Sequence, residues 1–489
     1  MTSPATWPRV SQWNSAQPKA RVAGLLVSLL VSALVSGCAW RQAGNQADFD
    51  ARYSAGDYQE AAALAARRGG SGYNEGTSLL WTLQRASALQ AVGDHEQAIR
   101  LFDTTEAFFR VYDEEGALSR WLSTTGALIT NDASQPYRGT LYDAIMVNSY
   151  KALGFLALGE PANARVELNR ARDRQRRAVD AFSEQIRAEQ RTSAESRSET
   201  PEADMGATLS RAHDALDEEY EQLSRWSVYP DYVNPLATWL EGLFLMTRAE
   251  APGDFERAAQ ALERVAGMVP GNSWVRQDYQ WAEDLAAGRR RHSELPPAVW
   301  VLYEKGLGPV RVERRIQVPV AFRHSGTTAI YTGFAYPVLR YRLGVSSPLR
   351  LESGRQEDVS TELLSSMEAV VSTEFSHELP RIVTRAVAAS VTRTLLQYQL
   401  RRRFGEFAGF LGLVYQLVGT QADTRIWSSL PREFAIARSG WIPGERLQLR
   451  LNGETHALAL PDNRFVMVWV RQPSAVADPL IEVIPLSAD

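Results

Sequence analysis

The chain contains one thiol, Cys38, preceded by the small or apolar residues Val35-Ser36-Gly37. Small residues there let a peptidase approach the backbone closely. A lone cysteine excludes an intrachain disulfide and a cysteine-clustered zinc site. The six histidines, His95, His213, His292, His324, His377 and His456, form neither an HExxH pair nor a His-x-His set. Glu374 and His377 have Glu-x-x-His spacing, but no second copy completes a carboxylate metal site. Gly69-Gly70-Ser71-Gly72 sets a serine among glycines and reads as a loop; no GxSxG elbow, Walker A loop or GxGxxG after a strand is present. No cofactor, metal or enzymatic activity is therefore expected, although catalytic triads are defined by geometry and need no motif.

A second set of residues suits recognition. Tyr137 and Arg138 lead into a helix that carries Asn148 and Tyr150. Concave faces of helical repeats hold peptides through Tyr, Asn and Arg, so these four are expected to form a partner groove. Core packing explains Tyr150 equally well. Arg165, Arg172 and Arg176 share a helical face that suits an anionic partner. The interspersed Glu167, Asp173 and Asp180 favour the plainer reading of a solvated, ion-paired helix.

Around Cys38 the context is that of an export signal. Residues 1–21 carry Arg9, Lys19 and Arg21 and no acid, and Val22 to Gly37 is uncharged and mostly apolar. As a helix that run is about 24 Å long, short of the roughly 30 Å hydrocarbon core and suited to a signal-peptide apolar region. The quartet ending in Cys38 resembles the bacterial lipobox, which implies a signal peptide over 1–37 and a lipid-anchor linker over 38–47. Several acyl chains would hold the chain firmly on a membrane. Ala39, in place of an aspartate, resembles the choice that sorts enterobacterial lipoproteins to the outer membrane.

The elements that must position these residues divide by period. The chain has 489 residues, 53 basic and 57 acidic, a net charge of −4, 45 % hydrophobic and 22 % charged residues. This is an ordinary globular composition; it excludes a polytopic membrane protein or a disordered chain, and its mild acidity argues against nucleic acid as a partner. Residues 48–290 read as helices. Four segments, at Gly56, Gly93, Gly159 and Gly253, share a glycine, a polar cap and an alanine-rich amphipathic helix. Partner helices are expected over 78–91, 140–157 and 236–247. The first two glycines lie 37 positions apart, near the 34-residue tetratricopeptide period. Residues 187–212 are expected to be a disordered loop.

Near Leu295-Pro296-Pro297 the period changes to that of strands. Val310 to Val320 alternates, and Leu447, Leu449 and Leu451 run into Asn452-Gly453, a strong hairpin pair. Residues 296–489 are expected to form a separate antiparallel β-rich domain of about six strands with its own core and a helical insert at 360–420, kinked or restarted at Pro380. Within the insert, Arg401-Arg402-Arg403 precedes the apolar stretch 404–419, read as buried or as a protein interface. The fold class is thus α+β multidomain: a tetratricopeptide-like α-solenoid followed by this β-rich domain.

Tyr137–Asp143, Leu156–Ala171, the Tyr303–Val310 turn, Leu379–Ala386 and Ala422–Pro431 together resemble a family of uncharacterised proteobacterial lipoproteins with tetratricopeptide repeats. The resemblance covers most of 48–489. It implies an outer-membrane lipoprotein without assigned activity, sometimes encoded beside a lipoprotein activator of a penicillin-binding protein, and supplies no catalytic residues. The expected function is a lipid-anchored, periplasm-facing scaffold that binds envelope proteins or peptides, with peptidoglycan nearby. The alternative is an envelope enzyme or carbohydrate-binding protein acting on peptidoglycan or another glycan.

Overall fold

The structure, a computed structural model, describes residues 44, 46–69, 77–113, 137, 139–177, 203–225, 234–322, 331–345, 347–353, 358–404, 421–442 and 446–487. Cys38, Arg138 and the apolar stretch from 405 to 419 lie outside the described residues. The chain contains both helices and sheets.

The first half is helical. Helices α1 (46–55), α2 (Tyr58–Gly69), α3 (Thr77–Ala91), α4 (His95–Asp113), α5 (Leu141–Ala157) and α6 (161–177) precede a short strand β1 (Ala203–Asp204). Helices α7 (Met205–Asp214), α8 (Asp217–Ser224), α9 (Pro235–Thr247), α10 (Pro252–Met268) and α11 (Ser273–Ala286) follow. Sequence neighbours pack: α2 on α3, α3 on α4, α4 on α5, α9 on α10 and α10 on α11.

Three of the four turn glycines reverse the chain as expected. Gly56, Gly93 and Gly159 sit at φ of 87°, 80° and 75°, where a Cβ is strained. Gly253 differs: Pro252 starts α10 one residue earlier, so Gly253 lies inside the first turn. The expected loop at 187–212 is also corrected at its described end. Asp204 caps α7 by accepting from the Ala207 amide at 3.0 Å, and Ala212 is fully buried.

The second half holds β2 (Ala298–Lys305), β3 (Val310–Pro319), β4 (Ala321–Phe322), β5 (Tyr331–Arg340), β6 (Arg350–Ser353), β7 (Val359–Ser360) and β8 (Glu362–Ser366). Helix α12 (Met367–Phe404) precedes β9 (Glu433–Gly440), β10 (Leu447–Leu451), β11 (Glu454–Leu458), β12 (Phe465–Gln472) and β13 (Leu480–Pro485). The expected helical insert thus begins with a strand. Pro380 lies within α12 and does not end it.

Two sheets stack. The larger has the order β13-β12-β2-β9-β8, the smaller β11-β10-β6-β7. The larger sheet is not wholly antiparallel, because β2 and β12 run parallel from Ala298 beside Phe465 to Lys305 beside Gln472. Strand β12 is buried at all eight positions, so no polar-outward alternation marks it in the sequence. In the smaller sheet, Asn452 at φ 51° and Gly453 at φ 90° make the expected tight hairpin between β10 and β11. Strands β3 and β5 form a separate ribbon covered by α12, α7 and α8.

Side-chain alternation sends the two faces of the larger sheet into different cores. Val299, Val301, Tyr303, Val466, Val468 and Val470 meet Leu351, Leu447 and Leu449 of the smaller sheet. On the other face Trp300, Leu302, Met467 and Trp469 join Leu83, Phe102, Tyr150, Trp239 and Leu262 of the helices in one cluster. The secondary structure changes near residue 295 as expected; one cluster is shared across that change, and the other lies within the strand half.

Candidate functional site

Helix α5 is the element on which the expected site residues converge, and it lies between the other helices and the larger sheet. Thr140 and Asp143 cap it reciprocally: the Asp143 amide donates to Thr140 Oγ1 at 3.2 Å, and the Thr140 amide donates to Asp143 Oδ2 at 2.9 Å. Tyr137 Oη donates to the same carboxyl oxygen at 2.6 Å. From α12, Glu374 accepts from the Leu141 and Tyr142 amides at 2.9 and 3.3 Å, filling the positive end of the helix with a carboxyl group. Both oxygens of Glu374 are thereby engaged with backbone.

The expected groove is corrected by burial. Tyr137, Asn148 and Tyr150 are 6, 0 and 4 % exposed. Asn148 donates to Glu106 at 3.1 Å and Glu167 at 2.6 Å, and accepts from Arg174 at 2.7 Å. Lys151, 1 % exposed, lies 2.8 Å from both Glu167 and Asp103. Tyr150 stacks on Phe102 and Trp469, and its hydroxyl donates to Glu304 at 3.3 Å. The Tyr150 side of α5 is thus covered by the protein's own sheet, while Asn148 is enclosed by the neighbouring helices α4 and α6. Arg165 and Arg172 are likewise engaged within the layer, with Asp254 at 2.9 Å and Glu241 at 3.0 Å.

Beyond Tyr150 the structure assembles a polar recess that the sequence reading missed. Its walls include Tyr53, Tyr58, Glu304, Ser429, Arg471 and Gln472, around a cavity of about 10 Å³. Glu304 is held by Trp469, whose Nε1 donates at 2.8 Å. Burial raises the Glu304 carboxyl to about 7, against the opposing pull of Arg471 and its hydrogen bonds. Arg471 stacks 4.0 Å over Trp469, donates to the Gln90 carbonyl at 2.7 Å and reaches Glu482 at 3.2 Å. Glu482 also meets His95. Two buried polar atoms of the lining, Tyr58 Oη and Arg471 Nε, make no hydrogen bond among the described residues. Such atoms are costly when dry, so the recess suits a water-sized polar guest, and it is smaller than a usual small-molecule pocket. Chemically it offers a carboxyl that changes charge near neutrality beside a guanidinium and two phenols.

A second buried charge pair ties the same two layers. Asp278 of α11, fully buried, accepts from Trp239 and Trp300 at 3.0 Å each and from Arg438 of β9 at 2.7 Å. Arg438 lies 3.8 Å over the Trp281 ring. Glu304 left a signal in the sequence, as an acid ending an otherwise apolar strand; Asp278 and Arg438 left none beyond a charge among tryptophans. No group of residues suited to a metal ion occurs among the described residues. Comparison with protein-family models, curated proteins and solved structures finds no match.

Proposed function

We propose that the protein is a lipid-anchored scaffold on the periplasmic face of the outer membrane, holding other envelope proteins or peptides through tetratricopeptide-like helical hairpins. The observation that carries this reading is the single cysteine of the chain, placed after a basic and then apolar leader in Val35-Ser36-Gly37-Cys38. The consecutive packing of α2 to α5, with left-handed glycines at the turns, supports the repeat part of the reading. Because Tyr137, Asn148 and Tyr150 are buried, partner contacts are assigned to other surfaces.

Cys38→Ser tests the anchor. The wild-type chain should be recovered from membranes beginning at an acylated Cys38, while the variant stays unprocessed or leaves the membrane fraction. A mature wild-type chain with an unmodified Cys38, read by mass spectrometry, overturns the proposal. Pull-down from detergent-solubilised membranes then tests the scaffold itself. Sedimentation with peptidoglycan and no captured protein supports the glycan-binding alternative instead.

A further inference from the structure

Helix α1 lies against one end of the larger sheet. The Gln46 side-chain amide donates to the Ile426 carbonyl at 3.0 Å. Asp50, one turn on, pairs with Arg342 at 3.7 Å, and the Ser54 carbonyl, a turn further, accepts from Ser474 Oγ at 2.6 Å. Those two contacts bind loops 341–345 and 473–479 to α1. Both loops lie where β2 and β12 end side by side. Lys305 is beside Gln472, the Gly306 amide donates to the Gln472 carbonyl at 2.8 Å, and a Cβ on Gly306 would lie 3.4 Å from the Gly344 backbone. The two most exposed large apolar side chains among the described residues stand on these loops: Leu343, fully exposed, and Val476, 84 % exposed. We propose that this end of the sheet is a lipid-facing surface, with Leu343 and Val476 dipping into the membrane leaflet that holds the acyl chains of Cys38. The inference rests on the lipid-anchor reading and adds which face of the protein the anchor turns to the membrane.

Exposed apolar residues scattered singly are ordinary, so exposure alone decides nothing. These two stand on fixed loops. On one side of Leu343, Arg342 donates to the carbonyls of Gly308 and Ser428; on the other, Gly344 packs against Arg432 and Val345 is buried. Before Val476, Ser474 Oγ accepts from the Val476 and Ala477 amides at 3.3 and 3.2 Å, and Ala477 is buried against Gly56. Each loop thus holds an apolar side chain out on a hydrogen-bonded base, at the same end of the same sheet.

The length of chain before α1 points to the occupant. Eight residues lead from Cys38 to Gln46, a span of at most about 29 Å fully extended and about 16 Å as a coil. Asp50 and Ser54, which hold the two loops, lie only about 6 and 12 Å along α1 from Gln46. The far end of the larger sheet is about 23 Å away along the eight residues of β2, where Ala298 is beside Gly440 and the Trp441 amide donates to the Pro297 carbonyl. Ile442, also apolar and 53 % exposed, stands at that far end. A leaflet drawn in by the tether therefore meets Leu343 and Val476 before Ile442. Each apolar side chain it receives leaves water, as an interfacial apolar face does about 5–10 Å into the headgroup–acyl boundary.

The acylated full-length protein tests this in phosphatidylcholine vesicles carrying a 5-doxyl phospholipid. Because acylation consumes the chain's only thiol, Leu343→Cys, Val476→Cys and Ile442→Cys can each be labelled with a fluorophore at one site. Emission from 343 and 476 should fall about twofold or more when the nitroxide lipid is included, and emission from 442 should barely change. Equal quenching at all three sites, or its absence at 343 or at 476, overturns the proposal. Shielding of 343 and 476 from aqueous iodide without lipid quenching overturns it too, and marks a protein partner or a second copy there. Where mass spectrometry shows Cys38 acylated, such a failure leaves the anchor standing; an unmodified Cys38 overturns both.

Discussion

Helix α12 meets the β3–β5 ribbon mainly through Phe375, Leu379, Val383, Val387 and Val391, an apolar ridge at i, i+4 spacing against Val318, Phe334 and Tyr336, with the Arg311–Glu378 pair and the Thr394–Thr332 hydrogen bond beside it. The helical layer meets the larger sheet differently, through Asp278, Arg438, Glu304 and Arg471 set among Trp239, Trp300 and Trp469. An apolar seam is a sum of many small contacts, and losing one leaves the rest. A buried polar seam holds only while each charge keeps its partner, because an orphaned charge in the interior is strongly destabilising. The first kind of seam tolerates revision; the second fixes which surfaces meet.

The largest test removes one side of the polar seam. Residues 296–489 expressed alone should show no cooperative thermal transition, since Trp300 and Trp469 lose the helices that cover them. A fragment that melts cooperatively with a strand signal by circular dichroism would restore the separate-domain reading. Next, Asp278→Ala should destabilise the full chain by about 3–5 kcal/mol in denaturant titrations, because Arg438 stays buried without its carboxylate. Adding Arg438→Met should recover part of that loss, and a purely additive double variant would argue against coupling. Leu379→Ala, in the apolar seam, should cost about 2–3 kcal/mol, below Asp278→Ala, with the larger sheet unaffected in amide exchange. The smallest effect is expected outside both seams: Gly93→Ala, at φ 80° with nothing near the added carbon, should cost about 1–2 kcal/mol by backbone strain alone.

These seams differ in how far they could be read from the sequence. The β10–β11 hairpin was legible because Leu447, Leu449 and Leu451 alternate into Asn452-Gly453, and local geometry alone decides such a turn. Helices α3, α5 and α9 were legible from apolar spacing, and the left-handed Gly56, Gly93 and Gly159 from the polar caps beside them. Asn148 and Tyr150 were misread for a physical reason. A buried hydrogen-bonded cluster and an exposed recognition surface use the same residue types, and only the tertiary partners distinguish them: neighbouring helices for Asn148, the sheet for Tyr150. The parallel pairing of β2 with β12 has no local signature, because it depends on segments far apart in the chain. The period change near 295 was real, but a change of period does not tell a shared core from two.

The contact between Ser474 and Ser54 joins positions 420 residues apart, and Gln46 reaches Ile426 across 380. At about 5–20 residues per second, a ribosome needs roughly 20–80 s to make the chain between Ser54 and Ser474. Until the end of that interval the first helices exist without the strand that carries Trp469, on which Tyr150 stacks. A nascent or truncated chain ending before residue 465 would present a tryptophan-lined surface with unpaired strand edges, and it would depend on holding chaperones until the last strands arrive.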